Sequence, residues 1–431
     1  MDAATKAERI RSALPEDGLF DGQSWRIATK PFPLDAKFAR ELESLGRVLL
    51  KFYRAADLLY RQSISGKQPT WVADLLDQGK PQPLLDWQRH AGFKNSLPRV
   101  LRPDILLTEN GWHITELDSV PGGIGLTGWL NETYAEHSEV FGGAHGMVDG
   151  FAGIFNGDGP VHVMVSEESA TYRPEMEWLC ARAGKRFAVR GPGFDTFSEG
   201  DAAYRFFELF DLENVAAHTA LFEIGAANKI QLTPPPKAHL EEKMLFALFW
   251  NRNLREFWQR ELGGKFMRQL EQVIPRTWVV DPTPLPPHAA LPGLELTDWR
   301  QLSALSQKER QFVLKLSGFN ERAWGARSVR LGNDLSQTDW TAAVSEAIAD
   351  FGNSPWILQR FEKPRRVQHE WFDFESGEAQ QMPGRVRLCP YYFTQGEEDV
   401  KLGGVLATIC PADKKIIHGM RDAILAPCVI S

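Results

Sequence analysis

Cysteine is scarce in this chain: Cys180, Cys389, Cys410 and Cys428 are scattered, with no CxxC and no Cys/His spacing. That excludes a zinc ribbon and a disulfide framework, and leaves four reduced, packed thiols as the expectation. A surplus of positive charge is missing too. Lys plus Arg number 49 against 56 Asp plus Glu, a net charge of −7, so no overall field exists to hold nucleic acid or an anionic membrane. No apolar run approaches the roughly 20 residues of a bilayer span. The opening MDAATKAERIRSAL has no hydrophobic stretch behind its charges, so a cytoplasmic protein with no nucleic-acid or membrane partner is expected. Two phosphate-binding signatures are absent as well. There is no GxGxxG at a strand end and no GxxxxGK followed by Ser or Thr, which argues against a dinucleotide site and against the P-loop class. Internal repeats and low-complexity segments are also lacking.

What is present is enough apolar residue, 43% against 24% charged, to build a globule from 431 residues. That length exceeds what one core serves, so two or three subdomains are expected. Residues 35 to 64 place Phe38, Leu42, Leu45, Leu49 and Tyr53 at helical spacing. The runs DILLT and WHITE flank Glu109-Asn110-Gly111 and predict a hairpin. VHVMVS at 161 to 166, a helix from Pro174 to Ala183 and RFAV at 186 to 189 predict a parallel βαβ unit, continuing through TALFEI at 219 to 224. TPPPK at 233 to 237 marks a boundary. Beyond it come helical spacing from Leu240 to Val273, the strands FVLKLS and WILQRF, a helix near 338 to 351, and alternating runs toward the end. The expected fold class is α+β with an α/β portion. The division is 1–150 (N-terminal helices and hairpin), 151–236 (a small Rossmann-like subdomain) and 237–431.

Chemistry concentrates in a few places. Arg102 and Asp104 lie two apart before the hairpin turn, Glu116 and Asp118 two apart after it, and Pro121-Gly122-Gly123 follows. Alternation along a strand sends each pair to one face, so three carboxylates can converge. Like charges so close call for a cation, and hard oxygen donors suit Mg²⁺. Lys315 sits among apolar neighbours in FVLKLS and needs a partner such as phosphate. Ser317, Gly318, Gly325 and Ser328 after it supply backbone N–H groups and hydroxyls for a covering loop. WILQRF ends in Gln359 and Phe361, able to face a purine edge and cover it. Arg385 and Arg387 alternate on one later strand; Arg387 is expected to bind an anion and Arg385 to face solvent. His113 and His418 have no partner at ligand spacing and are expected to be ordinary.

The order R-x-D, hairpin, E-x-D, Pro-Gly resembles the metal-binding end of the ATP-grasp superfamily, as in D-alanine ligases and glutathione synthetases. The resemblance implies ATP and Mg²⁺ as cofactors, with Asp104, Glu116 and Asp118 as metal ligands and Arg102 as the catalytic group near an acyl-phosphate. It departs from the family in having Asp118 where Asn is usual. Lys315 with Ser317, Gly318, Gly325 and Ser328 resembles the phosphate-covering element, Gln359 and Phe361 the adenine hinge, and Asn251-Arg252 an Asp-Lys pair. The metal motif precedes the lysine strand, an order similar to the circularly permuted glutathionylspermidine synthases. The resemblance therefore implies a permuted ATP-grasp fold with a Rossmann-like pre-ATP-grasp subdomain. The implied activity is a carboxylate–amine ligase taking small-molecule or peptide substrates. A phosphotransferase on the same scaffold and a non-catalytic nucleotide binder are the alternatives.

Overall fold

The computed structural model describes residues 2–15, 24–286, 288–417 and 421–431. His418 and Gly419 lie outside the described residues. The chain forms two compact units, each assembled from separated stretches: residues 1–51, 87–236 and 364–431 make the first, residues 52–86 and 237–363 the second. Three consecutive segments were expected; here the last 68 residues belong with the hairpin. They join it because they supply its neighbouring strands.

The first unit holds two sheets. The larger, eight-stranded, runs from Arg26–Ile27 through Ile424–Ile430, Val400–Pro411, Glu378–Thr394 and Val100–Thr108 to Gly111–Asp118, with Phe32–Leu34 and Val367–Asp373 paired beside it. The hairpin is therefore formed as its sequence predicts. Glu378–Thr394 shows why one strand can do two jobs: its first half alternates between exposed and buried, and its second half is buried throughout. The alternating half pairs with Val367–Asp373, and the buried half lies between Val100–Thr108 and Val400–Pro411.

The smaller sheet of this unit is parallel, in the order Phe187–Arg190, Val161–Val165, Ala202–Phe206, Gln231–Thr233. Val161–Val165 is buried at every residue, as expected of a parallel strand covered on both faces. The Rossmann-like expectation holds for the first two strands and the helix Arg173–Ala183 between them. TALFEI is a correction: it lies in the helix His218–Ala226, burying Leu221, Phe222, Gly225 and Ala226. That spacing of one and four is helical, and the third strand is Ala202–Phe206 instead.

In the second unit four antiparallel strands follow the order Arg330–Leu331, Phe312–Leu316, Trp356–Arg360, Thr277–Val279. One face carries Leu314, Leu316, Trp356 and Leu358 into a core with Trp299, Leu302, Trp340 and Val344. The helix Gln337–Ala349 that supplies Trp340 and Val344 starts at Ser336, whose side chain accepts from the Asp339 N–H. Helices Met244–Trp250 and Arg255–Val273 fill the stretch where helical spacing was read. The two chain segments of this unit are tied by a buried ionic knot: Asp57 accepts from Lys237 at 2.8 Å, His239 at 3.1 Å and Arg61 at 2.9 Å. Among the described residues no helix is long and apolar enough to cross a membrane.

Candidate functional site

In the first unit the hairpin register sets Arg102 opposite Asp118 and Asp104 opposite Glu116. Opposite residues of an antiparallel pair share a face, so all four side chains leave the same side of the sheet. Arg387, from the strand on the other flank of Val100–Thr108, pairs with Leu106 and so lies diagonally from Asp104 on that face. The result is an ionic cluster across three strands. Arg102 forms ion pairs from Nε to Asp104 at 3.1 Å and from Nη2 to Asp118 at 3.0 Å, and Arg387 Nη1 donates to Asp104 at 3.0 Å.

Beyond the hairpin, Pro121-Gly122-Gly123 leads into the helix Ile124–Ala135. The Gly122 carbonyl accepts from Arg102 Nη1 at 3.2 Å and from the Tyr391 hydroxyl at 2.8 Å. Asp118 also accepts the Val120 N–H at 2.9 Å. Its carboxyl is nonetheless raised above the usual carboxylate range: burial is the main cause, with Glu116 and Asp104 adding to it and Arg102 opposing. For Arg387, burial works against the charge, but Asp104 outweighs it and holds the guanidinium firmly protonated.

The three expected metal ligands are thus brought onto one face, but they do not form a ready cage. Among the described residues no three His, Cys, Asp or Glu side chains are arranged to hold a metal ion. The physical reason is that Asp104, buried to 5% exposure, is spent on two guanidiniums. Glu116 and Asp118 are hard oxygen donors on one pleat face, with Asp118 paired to Arg102 and in surroundings that resist its negative charge. That chemistry fits Mg²⁺ at these two, and at Asp104 only if an arginine gives way.

In the second unit Lys315 is 7% exposed and opposes Ile357, one diagonal step from Gln359. Its ammonium donates to Gln359 Oε1 at 2.9 Å, and Gln359 Nε2 donates to Thr277 Oγ1 at 3.3 Å. A polar row therefore crosses three strands on the face opposite the core. Trp356–Arg360 is an interior strand, its neighbours bonded on both sides, so its backbone is consumed in the ladders. Gln359 is committed to the row, and Phe361, just past the strand, donates its N–H to Gln311 O at 2.9 Å.

Ser317 and Ser328 are both turned inward. Ser317 Oγ donates to Glu242 and accepts the Met244 N–H at 2.9 Å, while Ser328 Oγ accepts the Leu316 N–H at 3.2 Å. Gly318 passes so close to Glu242 that a Cβ there would lie 2.6 Å from its carboxyl carbon. Gly325 has φ +62°, a turn that favours glycine. Arg252 is exposed and joins nothing here. Two lysines that the sequence reading passed over come to this loop instead: Lys243 donates to Ala323 O at 3.0 Å, and Lys80 reaches Glu242 at 2.5 Å. Only the first carried a signal, its place directly before an apolar helix.

Arg385 donates to the Ala412 and Lys414 carbonyls at 2.8 and 3.0 Å, an internal tie where a solvated face was expected. A cavity of about 260 Å³ in the first unit is lined by Lys6, Lys30, Trp129 and Arg182 among others, and by none of the expected site residues.

By sequence, no family model and no curated protein matches the chain. By structure it is similar to a glutathione synthetase-like effector from Globodera pallida in its apo form, at 10% identity and a TM-score of 0.52, over 100% of this chain and 98% of that one. It also overlaps a provisionally named gamma-glutamylcysteine synthetase from Methylobacillus flagellatus KT, at 11% identity and a TM-score of 0.40, over 91% and 89%. The second overlap is too loose to carry weight. The first shows a shared fold of the glutathione synthetase-like kind, and at that identity it shows the fold alone.

Proposed function

We propose that the chain is an Mg²⁺- and ATP-dependent ligase joining a carboxylate to an amine, on a circularly permuted ATP-grasp fold. The observation that carries this reading is the hairpin register, which gathers Arg102, Asp104, Glu116 and Asp118 on one face with Arg387. Three carboxylates against two guanidiniums leave that face one negative charge in surplus. Glu116 and Asp118 are the residues to hold Mg²⁺, which when bound neutralises phosphate charge and orients the nucleotide.

In this reading Lys315 gives up its bond to Gln359 for a phosphate oxygen, and Lys243 with the loop from Gly318 to Ser328 covers the phosphates. A substrate carboxylate takes the γ-phosphoryl group, and an amine displaces phosphate from the resulting acyl-phosphate. Arg102 and Arg387 stabilise the oxygen anion that develops, an effect worth roughly 3 kcal/mol for one well-placed donor. The small-molecule or peptide identity of acid and amine is set by residues outside this list.

One observation favours a second reading, a non-catalytic nucleotide binder. Arg102 already spends its guanidinium on Asp104, Asp118 and the Gly122 carbonyl, and a donor so committed serves a reacting oxygen only after rearranging. The discriminating experiment is a thermal-shift screen with a non-hydrolysable ATP analogue and Mg²⁺, followed by ADP release over a panel of amino acids, peptides and polyamines. The ligase reading expects the analogue to raise Tm by mass action, and expects amine-dependent ADP release that Glu116→Ala abolishes. A Tm rise without turnover assigns the binder, and no rise with wild-type protein sinks both. Phosphorylated product without amine dependence assigns a phosphotransferase.

A further inference from the structure

The bend that follows the hairpin is held from another layer of the first unit. Glu175 lies in the first turn of Arg173–Ala183, the helix between the first two parallel strands, and is fully buried. Its carboxylate accepts the Gly123 N–H at 2.7 Å and the Leu126 N–H at 3.1 Å. These are donors that the start of Ile124–Ala135 cannot satisfy within the helix, and no side chain of its own first turn caps it. The peptide that gives Gly123 its N–H also carries the Gly122 carbonyl, the acceptor of Arg102 and Tyr391. One rigid peptide plane therefore connects Glu175 to Arg102.

The surroundings leave that plane little freedom. Gly123 has φ +90°, and a Cβ there would lie 2.4 Å from the Tyr391 hydroxyl. Tyr172, at the head of the same helix as Glu175, feels the charges of Arg102, Asp118 and Arg387. Burial is the largest influence on Glu175 and raises its carboxyl to about 7, against the pull of its two N–H donors and Arg102. A buried acid kept at such a cost needs a use.

We propose that Glu175 is a positioning residue: it fixes the Gly122–Gly123 peptide and so sets the direction in which Arg102 faces Asp118. This deepens the ligase reading and rests on it for the consequence in nucleotide binding, whereas the positioning itself is a property of the unliganded chain. Without the carboxylate, two buried N–H groups lose their acceptor, the peptide tilts, and the Gly122 carbonyl no longer anchors Arg102. Glutamine keeps the size and one acceptor oxygen, so it restores part of the effect.

The test uses the full chain without ligand, comparing wild type, Glu175→Ala and Glu175→Gln for amide exchange, together with a double-mutant cycle to Arg102→Gln. The Gly123 and Leu126 amides are expected to exchange at least about tenfold faster in Glu175→Ala and less so in Glu175→Gln. Coupling through the peptide predicts that the double variant's unfolding constant departs about tenfold from the product of the single effects. A product that holds within about twofold makes Glu175 a helix cap and nothing more, and overturns the proposal. If Glu175→Ala does not fold, the cycle with Glu175→Gln decides in the same way. Thermal shift with the non-hydrolysable ATP analogue and Mg²⁺ runs alongside: no shift in wild type removes the ligase reading, while the cycle still decides whether Glu175 positions Arg102.

Discussion

Val100–Thr108 in the first unit and Phe312–Leu316 in the second each carry charge into buried surroundings, and they give it different partners. Val100–Thr108 brings Arg102 and Asp104 into a dense cluster in which Arg102 pairs with Asp104 and Asp118, and Arg387 with Asp104. Phe312–Leu316 brings one ammonium, Lys315, and gives it a neutral amide, Gln359. The first arrangement is stable while complete and costly when broken, because a buried charge left without its partner has lost its water as well. In the second, the Gln359 amide oxygen satisfies a lysine proton without neutralising it. A bond from Lys315 to a neutral amide is one that a phosphate oxygen can replace with a charged partner. In the proposed ligase the hairpin would hold geometry and the lysine strand affinity.

The largest expected effect comes from breaking the dense cluster. Arg102→Gln leaves Asp104 and Asp118 facing Glu116 with one guanidinium among them, and should cost about 3–5 kcal/mol of stability. Urea unfolding at pH 8 measures it. At pH 5 the loss should shrink, since carboxyls deprived of a cation take up protons more readily. A loss below about 1 kcal/mol at pH 8 would mean the cluster is exchangeable surface charge and end the comparison.

Glu175 sharpens the comparison because two backbone N–H groups, Gly123 and Leu126, hold its carboxylate. Burial raises its carboxyl in the folded chain to about 7, above the ordinary glutamate value of 4.5. Between those values the folded chain keeps a proton that the unfolded chain has released, so this group's stability contribution is full below about pH 4.5 and is lost as pH rises through 7. The span corresponds to roughly 3 kcal/mol. Wild-type unfolding free energy should therefore fall across the window more steeply than that of Glu175→Gln, measured by urea titration at half-unit steps. Parallel pH profiles would show that the carboxyl stays ionised throughout.

On the sparse side, Lys315→Met should cost about 1–3 kcal/mol by leaving Gln359 Oε1 without its donor, and Gln359→Leu added to it should recover most of that loss. The same single substitution should remove the thermal shift given by the ATP analogue with Mg²⁺. Stability lost with the shift intact would make Lys315 a structural residue and reverse the proposed division of work.

Much of this was legible in the letters. The hairpin announced itself through two β-rich runs around Glu109-Asn110-Gly111, and the lysine strand and the strand of Gln359 through their apolar spacing. The misreadings have physical causes. TALFEI has strand-like residues but helical spacing, and Ala202–Phe206 went unread because Tyr204 and Arg205 interrupt its apolar run. Three acids on one face suggested a cation cage, and sequence could not say that Arg387, 283 residues from Asp104, would take one of them. Nor could it show that Gln359 turns its amide to Lys315, because that depends on a register between strands 44 residues apart. Glu175 was invisible for the same reason: nothing near it in sequence marks a residue that caps a helix 49 residues away.

Arg385 and Arg387 give the smallest effect and the cleanest internal control, since they share one strand face and differ only in what they touch. Arg385 closes a turn by donating to two carbonyls, Ala412 and Lys414. Those acceptors lie near the surface, so water replaces the guanidinium when it is removed, and Arg385→Ala should cost about 1 kcal/mol. Arg387 faces Asp104, which is buried and cannot recruit water so easily. Arg387→Ala should therefore cost two to three times as much, about 2–3 kcal/mol, and should raise the pH at which Asp104 takes up its proton. Only the Arg387 variant should weaken the ATP analogue's thermal shift, because only that arginine belongs to the face that the hairpin presents. Equal losses from both, in stability and in shift, would mean that position on the strand matters and partner identity does not, against the charge argument made for the whole first unit.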